Sequence, residues 1–139
     1  MDLTRREARE QAFLILFEQA VSRKTVDEVL TDAAEARDFI PDEFAERVAD
    51  GVTEHTQEID ELISAHIRGW NLNRLSKVAL ALLRLSVYEI LFEASVPASV
   101  SINEAVELAK EYGGKDDAPY INGVLASVVK AGNGAGENA

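Results

Sequence analysis

Three arginines near the start of the chain, Arg5, Arg6 and Arg9, are followed closely by Phe13 and Phe17. At the helical rotation of about 100° per residue, these five side chains share one stripe beside an apolar face. Arginine binds phosphate and aromatic rings stack on bases, so the stripe is typical of proteins that recognise single-stranded nucleic acid. An alternative stays open, in which the phenylalanines extend the core and the arginines pair with the acidic residues in the middle of the chain.

A second candidate site lies nearer the C-terminus, where Tyr112 and Tyr120 flank the polar loop Gly113-Gly114-Lys115-Asp116-Asp117-Ala118-Pro119. This loop could present aromatic rings to a base, or it could be a connection whose tyrosines anchor the ends of two helices. Both interpretations stay open. Arg84 and Tyr88 are four residues apart in the most apolar segment, where a charge must be paired or reach the surface. We expect these two residues to hold the two halves of the chain together.

Catalytic and metal sites find little support in the sequence. His55 and His66 are eleven residues apart, which matches neither a zinc-binding pair at i, i+4 nor the Glu-x-x-His of di-iron bundles. The carboxylates around them are typical of a solvated helix face. Glycine-rich phosphate loops and a nucleophile elbow are absent from the sequence. We therefore expect no enzyme, no metal and no cofactor.

The elements that must position these residues are helices, because helical periodicity extends over nearly the whole chain. The sequence therefore predicts an all-α fold. The first predicted helix starts at Thr4. The other predicted helical segments span about 26–37, 41–68, 72–75, 76–94, 101–112 and 120–130. Two Ser/Thr-x-x-Glu capping boxes, Thr4 with Glu7 and Ser101 with Glu104, mark two of the helix starts.

Gly69-Trp70-Asn71 interrupts the helical pattern and predicts a boundary inside one domain. We expect a single domain over residues 1–131, with subdomains of about 1–69 and 70–131 that share one core. The glycine-rich residues 132–139 predict a flexible tail.

The composition is that of a globular domain, with 139 residues, 47% of them hydrophobic and none of them cysteine. The lack of cysteine excludes disulfides and thiolate zinc sites and is consistent with a reducing compartment. The N-terminus lacks the apolar run of a signal peptide. The longest apolar stretch, residues 78–92, contains two charged residues and is too short to span a bilayer. We expect a cytoplasmic protein without a membrane partner.

The net charge of −11 argues at first against a nucleic-acid partner, because a polyanion is repelled at long range. The charge is not evenly spread, however. Residues 25–63 contain thirteen acids and two bases, whereas residues 1–24 contain four acids and five bases. The arginines therefore lie outside the acidic block. This arrangement predicts binding of a short element through one small face, with help from a second RNA-contacting partner.

Several segments resemble the NusB transcription antitermination proteins. Residues 5–10, Arg-Arg-Glu-Ala-Arg-Glu, are similar to the arginine-rich motif of the family, and residues 83–89, Leu-Arg-Leu-Ser-Val-Tyr-Glu, to its central helix. The most specific matches are residues 102–110, Ile-Asn-Glu-Ala-Val-Glu-Leu-Ala-Lys, and 121–125, Ile-Asn-Gly-Val-Leu. The resemblance covers residues 4–130.

The resemblance implies about seven helices in two packed three-helix subdomains, without enzymatic activity. It also implies partners: the single-stranded boxA element of nascent ribosomal RNA, NusE, which is a small-subunit ribosomal protein, and the RNA polymerase complex that resists termination. The residues that match RNA-contacting positions of the family, or lie next to them, are Arg5, Arg6, Arg9, Phe17, Tyr112, Lys115, Asp116, Tyr120 and Asn122.

Two departures from the family pattern modify these expectations. Glu7 stands where some members have a base, which predicts lower RNA affinity. Val78-Ala79-Leu80 lacks the acid and base that members often carry near the NusE contact, which favours an apolar contact or self-association as a homodimer. Two other functions remain as alternatives: an acidic helical module that binds a basic protein, and a detached NusB-like domain of a ribosomal RNA cytosine methyltransferase.

Overall fold

Seven α-helices make up most of the protein, in a computed structural model that describes residues 3–37, 39–68 and 71–137. They are α1 (Arg5–Ser22), α2 (Val26–Arg37), α3 (Glu43–Glu54), α4 (Thr56–Ala65), α5 (Lys77–Phe92), α6 (Ala98–Tyr112) and α7 (Asp117–Glu137), with one turn of 3₁₀ helix at Leu72–Arg74. These ranges contain no strand, and the predicted all-α class is confirmed. Within them, no helix is long and apolar enough to cross a membrane.

Helix α5 is the centre of the molecule. It is apolar on nearly every side, and ten of its 16 residues are buried, so it can serve as a core for neighbours all round. It packs against α1, α3, α4, α6 and α7. The hydroxyl of Ser76 accepts a hydrogen bond from the backbone N–H of Ala79 (3.0 Å) and caps its first turn.

The single helix predicted over residues 41–68 is in fact two helices, which meet at His55. The backbone of His55 leaves helical geometry at φ −111° and ψ 19°. On either side of it, the hydroxyls of Thr53 and Thr56 donate hydrogen bonds to the carbonyls of Ala49 (3.0 Å) and Val52 (2.8 Å). Threonine hydroxyls that bond to the preceding turn favour bending of a helix. The apolar periodicity continues through the bend, which is why the sequence pattern did not reveal it.

The capping box predicted at Ser101 and Glu104 is wrong. Helix α6 begins one turn earlier, after Pro97, whose φ of −59° suits a helix start. Ser101 is therefore an interior residue of α6 with a fully buried side chain. Glu104 does not cap α6 and instead binds Arg6 of α1.

Helix α7 also differs from the predicted 120–130. It begins at Asp117, so that Pro119 lies in the first turn, where a missing N–H costs no intrahelical hydrogen bond. It continues through Gly132 to Glu137 instead of ending at that glycine. The predicted boundary at Gly69-Trp70 and the last two residues of the predicted tail lie outside the described residues.

Helix α5 also contacts α3 and α4, which precede it in the chain. Arg84 donates two hydrogen bonds to Asp60 of α4, Nε to Oδ1 at 2.9 Å and Nη2 to Oδ2 at 2.8 Å. The ring of Tyr88 lies directly against Gly51 of α3. Arg84 and Tyr88 therefore contact helices that precede α5, and their role in holding the two halves together stays a prediction.

The contact between Gly51 and Tyr88 allows a direct test of the packing. A methyl group at Gly51 would overlap the tyrosine ring. We expect Gly51→Ala to lower the free energy of unfolding by about 1–3 kcal/mol, because the ring must move. Gly123 is the matched control, since nothing lies near a methyl group there, and Gly123→Ala should stabilise α7 by up to ~1 kcal/mol. Urea unfolding measures both effects. If Gly51→Ala had the same unfolding midpoint as the unaltered protein, the ring of Tyr88 would move aside freely.

Candidate nucleic-acid interface

The start of α1 is held in place by the predicted capping box. The Thr4 hydroxyl accepts a hydrogen bond from the N–H of Glu7 (3.1 Å), and the Glu7 carboxylate accepts one from the N–H of Thr4 (2.9 Å). The backbone N–H of Thr4 lowers the pKa of Glu7, so this carboxylate is charged at neutral pH. The acid in the arginine-rich motif therefore stabilises the helix that carries the arginines, as the sequence predicted.

Arg6 faces helix α6. Its Nε lies 3.1 Å from Oε2 of Glu104, and its Nη2 donates to Oε1 of the same carboxylate (3.1 Å). The Arg6 side chain is 68% exposed and that of Glu104 only 14% exposed, so the arginine end of this pair is open to solvent while the carboxylate is largely covered. The fork of guanidinium donors that holds the carboxylate also matches phosphate. The exposed guanidinium of Arg6 can therefore also meet a phosphate.

Arg5 faces the opposite side of α1, toward α3. Its guanidinium carbon lies 3.9 Å from the ring centroid of Phe44, a contact distance for a cation–π interaction. Arg47, also on α3, lies 5.5 Å from the same ring. Adjacent arginines in the sequence thus serve two different surfaces, because neighbours on a helix are rotated by about 100°.

Arg9 lies between these two surfaces and is buried, with 3% of its side chain exposed. It binds Glu89 of α5 through Nε (2.8 Å to Oε1) and Nη2 (2.8 Å to Oε1). Burial raises the pKa of Glu89, while the Arg9 charge opposes that rise and Ser101 opposes it weakly. A contact between Arg9 and a phosphate would require this buried pair to open. We therefore assign Arg9 to the support of α1.

The predicted stripe of interleaved arginines and phenylalanines is accordingly wrong for two of its members, Arg9 and Phe13. Phe13 is fully buried, as the alternative interpretation expected. That alternative was wrong about the ion pairs, because Arg6 and Arg9 pair with α6 and α5 and not with the acidic block of residues 25–63. On the helical projection both misplaced residues lie nearer to the apolar face than Arg6 and Phe17 do.

Tyr112, at the end of α6, is brought onto the side of α1. Its ring centroid lies 5.1 Å from that of Phe13, and its hydroxyl donates a hydrogen bond to Glu10 (2.9 Å). Burial, followed by the hydrogen bond to Glu10, raises the pKa of the phenol to about 12, so Tyr112 stays neutral at physiological pH. Its 38% exposed side chain can meet a ligand. Phe17 lies next along α1, half-buried, 5.9 Å from Phe13.

The loop after Tyr112 is fixed by Asp117. This carboxylate accepts hydrogen bonds from the N–H of Gly114 (3.0 Å) and from the hydroxyl of Ser76 at the start of α5 (3.3 Å). Lys115 and Asp116 are exposed in this loop, where they can reach a ligand.

Two further predicted contacts lie on α7. Asn122 is exposed in its second turn. Tyr120 packs partly against the core, and burial raises the pKa of its phenol. The structure thus places Tyr112 of α6 against α1, the helix that carries Arg6 and Phe17. Tyr120 packs partly into the core.

The segment Val78-Ala79-Leu80 offers less surface than the sequence suggested. Ala79 is 2% exposed and Leu80 is 6% exposed, because both face the neighbours of α5. Val78 is half-buried and provides the accessible part of this segment. An apolar contact with a partner here would rest mainly on Val78.

Sequence reasoning missed five residues that complete the site: Glu10, Phe44, Arg47, Glu89 and Glu104. Glu89 had a signal, since a carboxylate in so apolar a helix requires a buried partner. Arg47 and Phe44 had none, because they belong to a helix distant in sequence from Arg5. As for metals, the described residues include no group of three or more His, Asp or Glu placed to hold an ion.

The two histidines have ordinary environments. His55 stacks on Phe92 with a centroid distance of 4.2 Å and lies 3.0 Å from Glu58. His66 lies 2.7 Å from the hydroxyl of Ser127 on α7. These contacts explain both side chains through packing and hydrogen bonding.

Comparison with known proteins identifies the family of the chain. The NusB family model matches residues 6–130. The transcription antitermination protein NusB of Clostridium novyi is 36% identical, over 93% of this chain and 100% of its own length. That of Ruminiclostridium cellulolyticum is 41% identical, over 91% of this chain and 88% of its own length.

Solved structures give the same result. T. maritima NusB has a TM-score of 0.82 at 35% identity, with 94% of this chain and 93% of that chain covered. A crystal structure of the antitermination factors NusB and NusE in complex with dsRNA contains a chain with a TM-score of 0.80 at 29% identity, covering 91% of this chain and 96% of that one. The chain therefore belongs to the NusB family.

Proposed function

We propose that this protein is a transcription antitermination factor, which binds the boxA element of nascent ribosomal RNA together with NusE and helps RNA polymerase to resist termination. One observation carries the proposal. Arg6 of α1 presents an exposed guanidinium, and Tyr112, at the end of α6, presents an exposed neutral phenol against α1. Family membership and the solved relative that contains NusE and dsRNA support it.

The residues of this surface have complementary tasks. Arg6 binds a phosphate in place of Glu104, and Tyr112 presents its ring to a base. Phe17 extends the aromatic surface along α1. An aromatic ring stacks on any base and so contributes affinity with little sequence preference, about 1–3 kcal/mol per base.

Sequence preference comes from the loop and from α7. Asp116 accepts hydrogen bonds from base amino groups, while Lys115 donates to phosphate. Asn122 both donates and accepts, so it can read a base edge. Tyr120 lies at the rim of this surface.

The role is that of an adaptor, without a chemical step, in the cytoplasm where RNA polymerase works. The many carboxylates between residues 25 and 63 weaken the long-range attraction of RNA to this protein. Binding by this protein alone is therefore weak, and NusE supplies the additional contacts.

The proposal is tested by comparing a boxA RNA with a scrambled RNA of the same composition. We expect preferential binding of boxA and tighter binding when NusE is present. Fluorescence anisotropy over a concentration series measures both, and light scattering on the same samples detects a homodimer. Equal affinity for the two RNAs, with and without NusE, would overturn the proposal and favour the acidic protein-binding module.

A further inference from the structure

A groove beside the start of α1 holds a second group of arginines that the proposed RNA surface does not use. Its volume is about 1080 Å³, and it lies between α1 and the residues that lead into α3. Arg5 and Arg47 line it, and the guanidinium groups of both lie over the ring of Phe44. Phe44 is 7% exposed, so its ring cannot stack on a base. It serves instead as a platform for the guanidinium of Arg5, whose central carbon lies over the ring.

Both arginines of this groove retain free donors. Among the residues that the structure describes, no carboxylate lies within ion-pair distance of Arg5. Arg47 binds Glu93 of α5 through Nη2 (2.6 Å), which leaves its Nε and Nη1 for another acceptor. Its side chain is 57% exposed. Two guanidinium groups over one ring form a site for an anion with several oxygens.

Two acids also line the groove, and one of them is engaged by the backbone of α3. Asp42 caps α3, where its Oδ1 accepts hydrogen bonds from the N–H groups of Phe44 (2.8 Å) and Ala45 (3.3 Å). Its charge is therefore directed to the positive end of the helix. Glu43 is the second acid of the lining, and Glu93 already pairs with Arg47, so Arg5 is the arginine of this groove without a carboxylate partner among the described residues.

The rim of the groove is apolar. Ile40 is 85% exposed and Leu3 is 38% exposed, and both line it. Apolar side chains beside cations suit a ligand that combines phosphate with sugar and base surfaces, and inorganic phosphate alone would leave them unused. A single-stranded nucleotide segment has this combination.

The groove and the proposed RNA surface lie on two sides of the first turn of α1. Arg6 lies on the α6 side and Arg5, the preceding residue, on the α3 side. An RNA strand held by Arg6 needs only to cross this first turn to reach Arg5 and then Arg47. The nucleotides that reach Arg5 and Arg47 would therefore differ from those whose bases contact the loop and α7.

We propose that the groove of Arg5, Phe44 and Arg47 binds the RNA backbone that flanks the recognised element, and so extends the RNA path onto α3. The inference rests on the proposed function and adds a second contact region to it. The region is insensitive to sequence, because guanidinium contacts to phosphate position RNA without reading bases.

The test uses three RNAs: the boxA element alone, and the same element with about four additional nucleotides on its 5′ or its 3′ side. One extension should raise the affinity of the unaltered protein several-fold. Arg47→Ala should remove that gain while leaving the affinity for the short element unchanged. On the extended RNA alone, it should also reduce the slope of log K against log salt by about 0.7, the contribution of one phosphate.

Two controls make the result specific. Arg68→Ala removes an exposed arginine beyond the end of α4 and should keep the gain from the extension. Phe44→Leu keeps both guanidiniums but removes the platform, and should reduce the gain. Circular dichroism confirms that each variant is folded.

The inference is overturned if neither extension improves binding, or if Arg47→Ala weakens the short and extended RNAs by the same factor. These outcomes leave the proposed function intact, since the short element still binds. Failure of the unaltered protein to prefer the short boxA element over its scrambled form would overturn the proposed function itself, and the inference with it.

Discussion

Replacing Arg9 by methionine should lower the free energy of unfolding by about 3–5 kcal/mol at neutral pH. The substitution removes the partner of Glu89, whose side chain is fully buried, and leaves an uncompensated carboxylate between α1, α5 and α6. The loss should diminish as the pH falls. Burial already raises the pKa of Glu89, and removal of Arg9 raises it further, so the folded variant takes up a proton before the unfolded chain does. Urea unfolding at several pH values measures this dependence.

The double variant Arg9→Met/Glu89→Leu is the matched control. A buried ion pair replaced by apolar residues of similar volume is often neutral or stabilising, so the double variant should recover most of the lost stability. It should also bind boxA RNA as the unaltered protein does, because Arg9 supports the helix and does not touch RNA. A stable double variant with strongly reduced RNA binding would show instead that the ion pair opens and Arg9 contacts phosphate.

The second large effect concerns the two exposed arginines. Arg5→Ala/Arg6→Ala should weaken binding of a boxA RNA with both flanks roughly tenfold at low salt. It should also flatten the slope of log K against log salt by about 1.4, because two phosphate contacts are lost. Neither side chain is buried, so helicity and stability should stay close to those of the unaltered protein. Titrations at a series of salt concentrations measure the slope.

A control variant that also loses two positive charges separates long-range attraction of RNA from direct contact with it. Arg68→Ala/Lys130→Ala removes two exposed cations outside both RNA surfaces. It should leave the salt slope nearly unchanged. If it flattens the slope as much as Arg5→Ala/Arg6→Ala does, the arginines of α1 act only through net charge and the assigned contacts are wrong.

Local patterns predicted the parts of the fold that depend on neighbours in sequence. The capping box of Thr4 and Glu7 is such a case, because its two hydrogen bonds join residues three apart. The central position of α5 is another, since a helix that is apolar all round can only be buried. The bend at His55 was missed because the apolar periodicity does not change there.

The candidate site was only partly predictable, because the role of each residue depends on the side chain that it contacts on another helix. Arg5, Arg6 and Arg9 look alike in the sequence, yet one stacks on Phe44, one pairs with Glu104 at the surface and one is buried against Glu89. The periodicity of a helix shows which of its sides is buried. The residue that faces that side comes from another helix, and its identity depends on how the helices pack.

By itself, the sequence determined an all-α protein with an arginine-rich first helix outside an acidic block, and motifs specific enough to indicate the family. These features depend on composition, periodicity and short spacings. Only the tertiary structure decided that Arg9 is a support, that Tyr112 lies on α1, and that Arg5 and Arg47 share one aromatic platform. The physical reason is that burial and charge pairing depend on contacts between distant segments, which the packing around α5 creates.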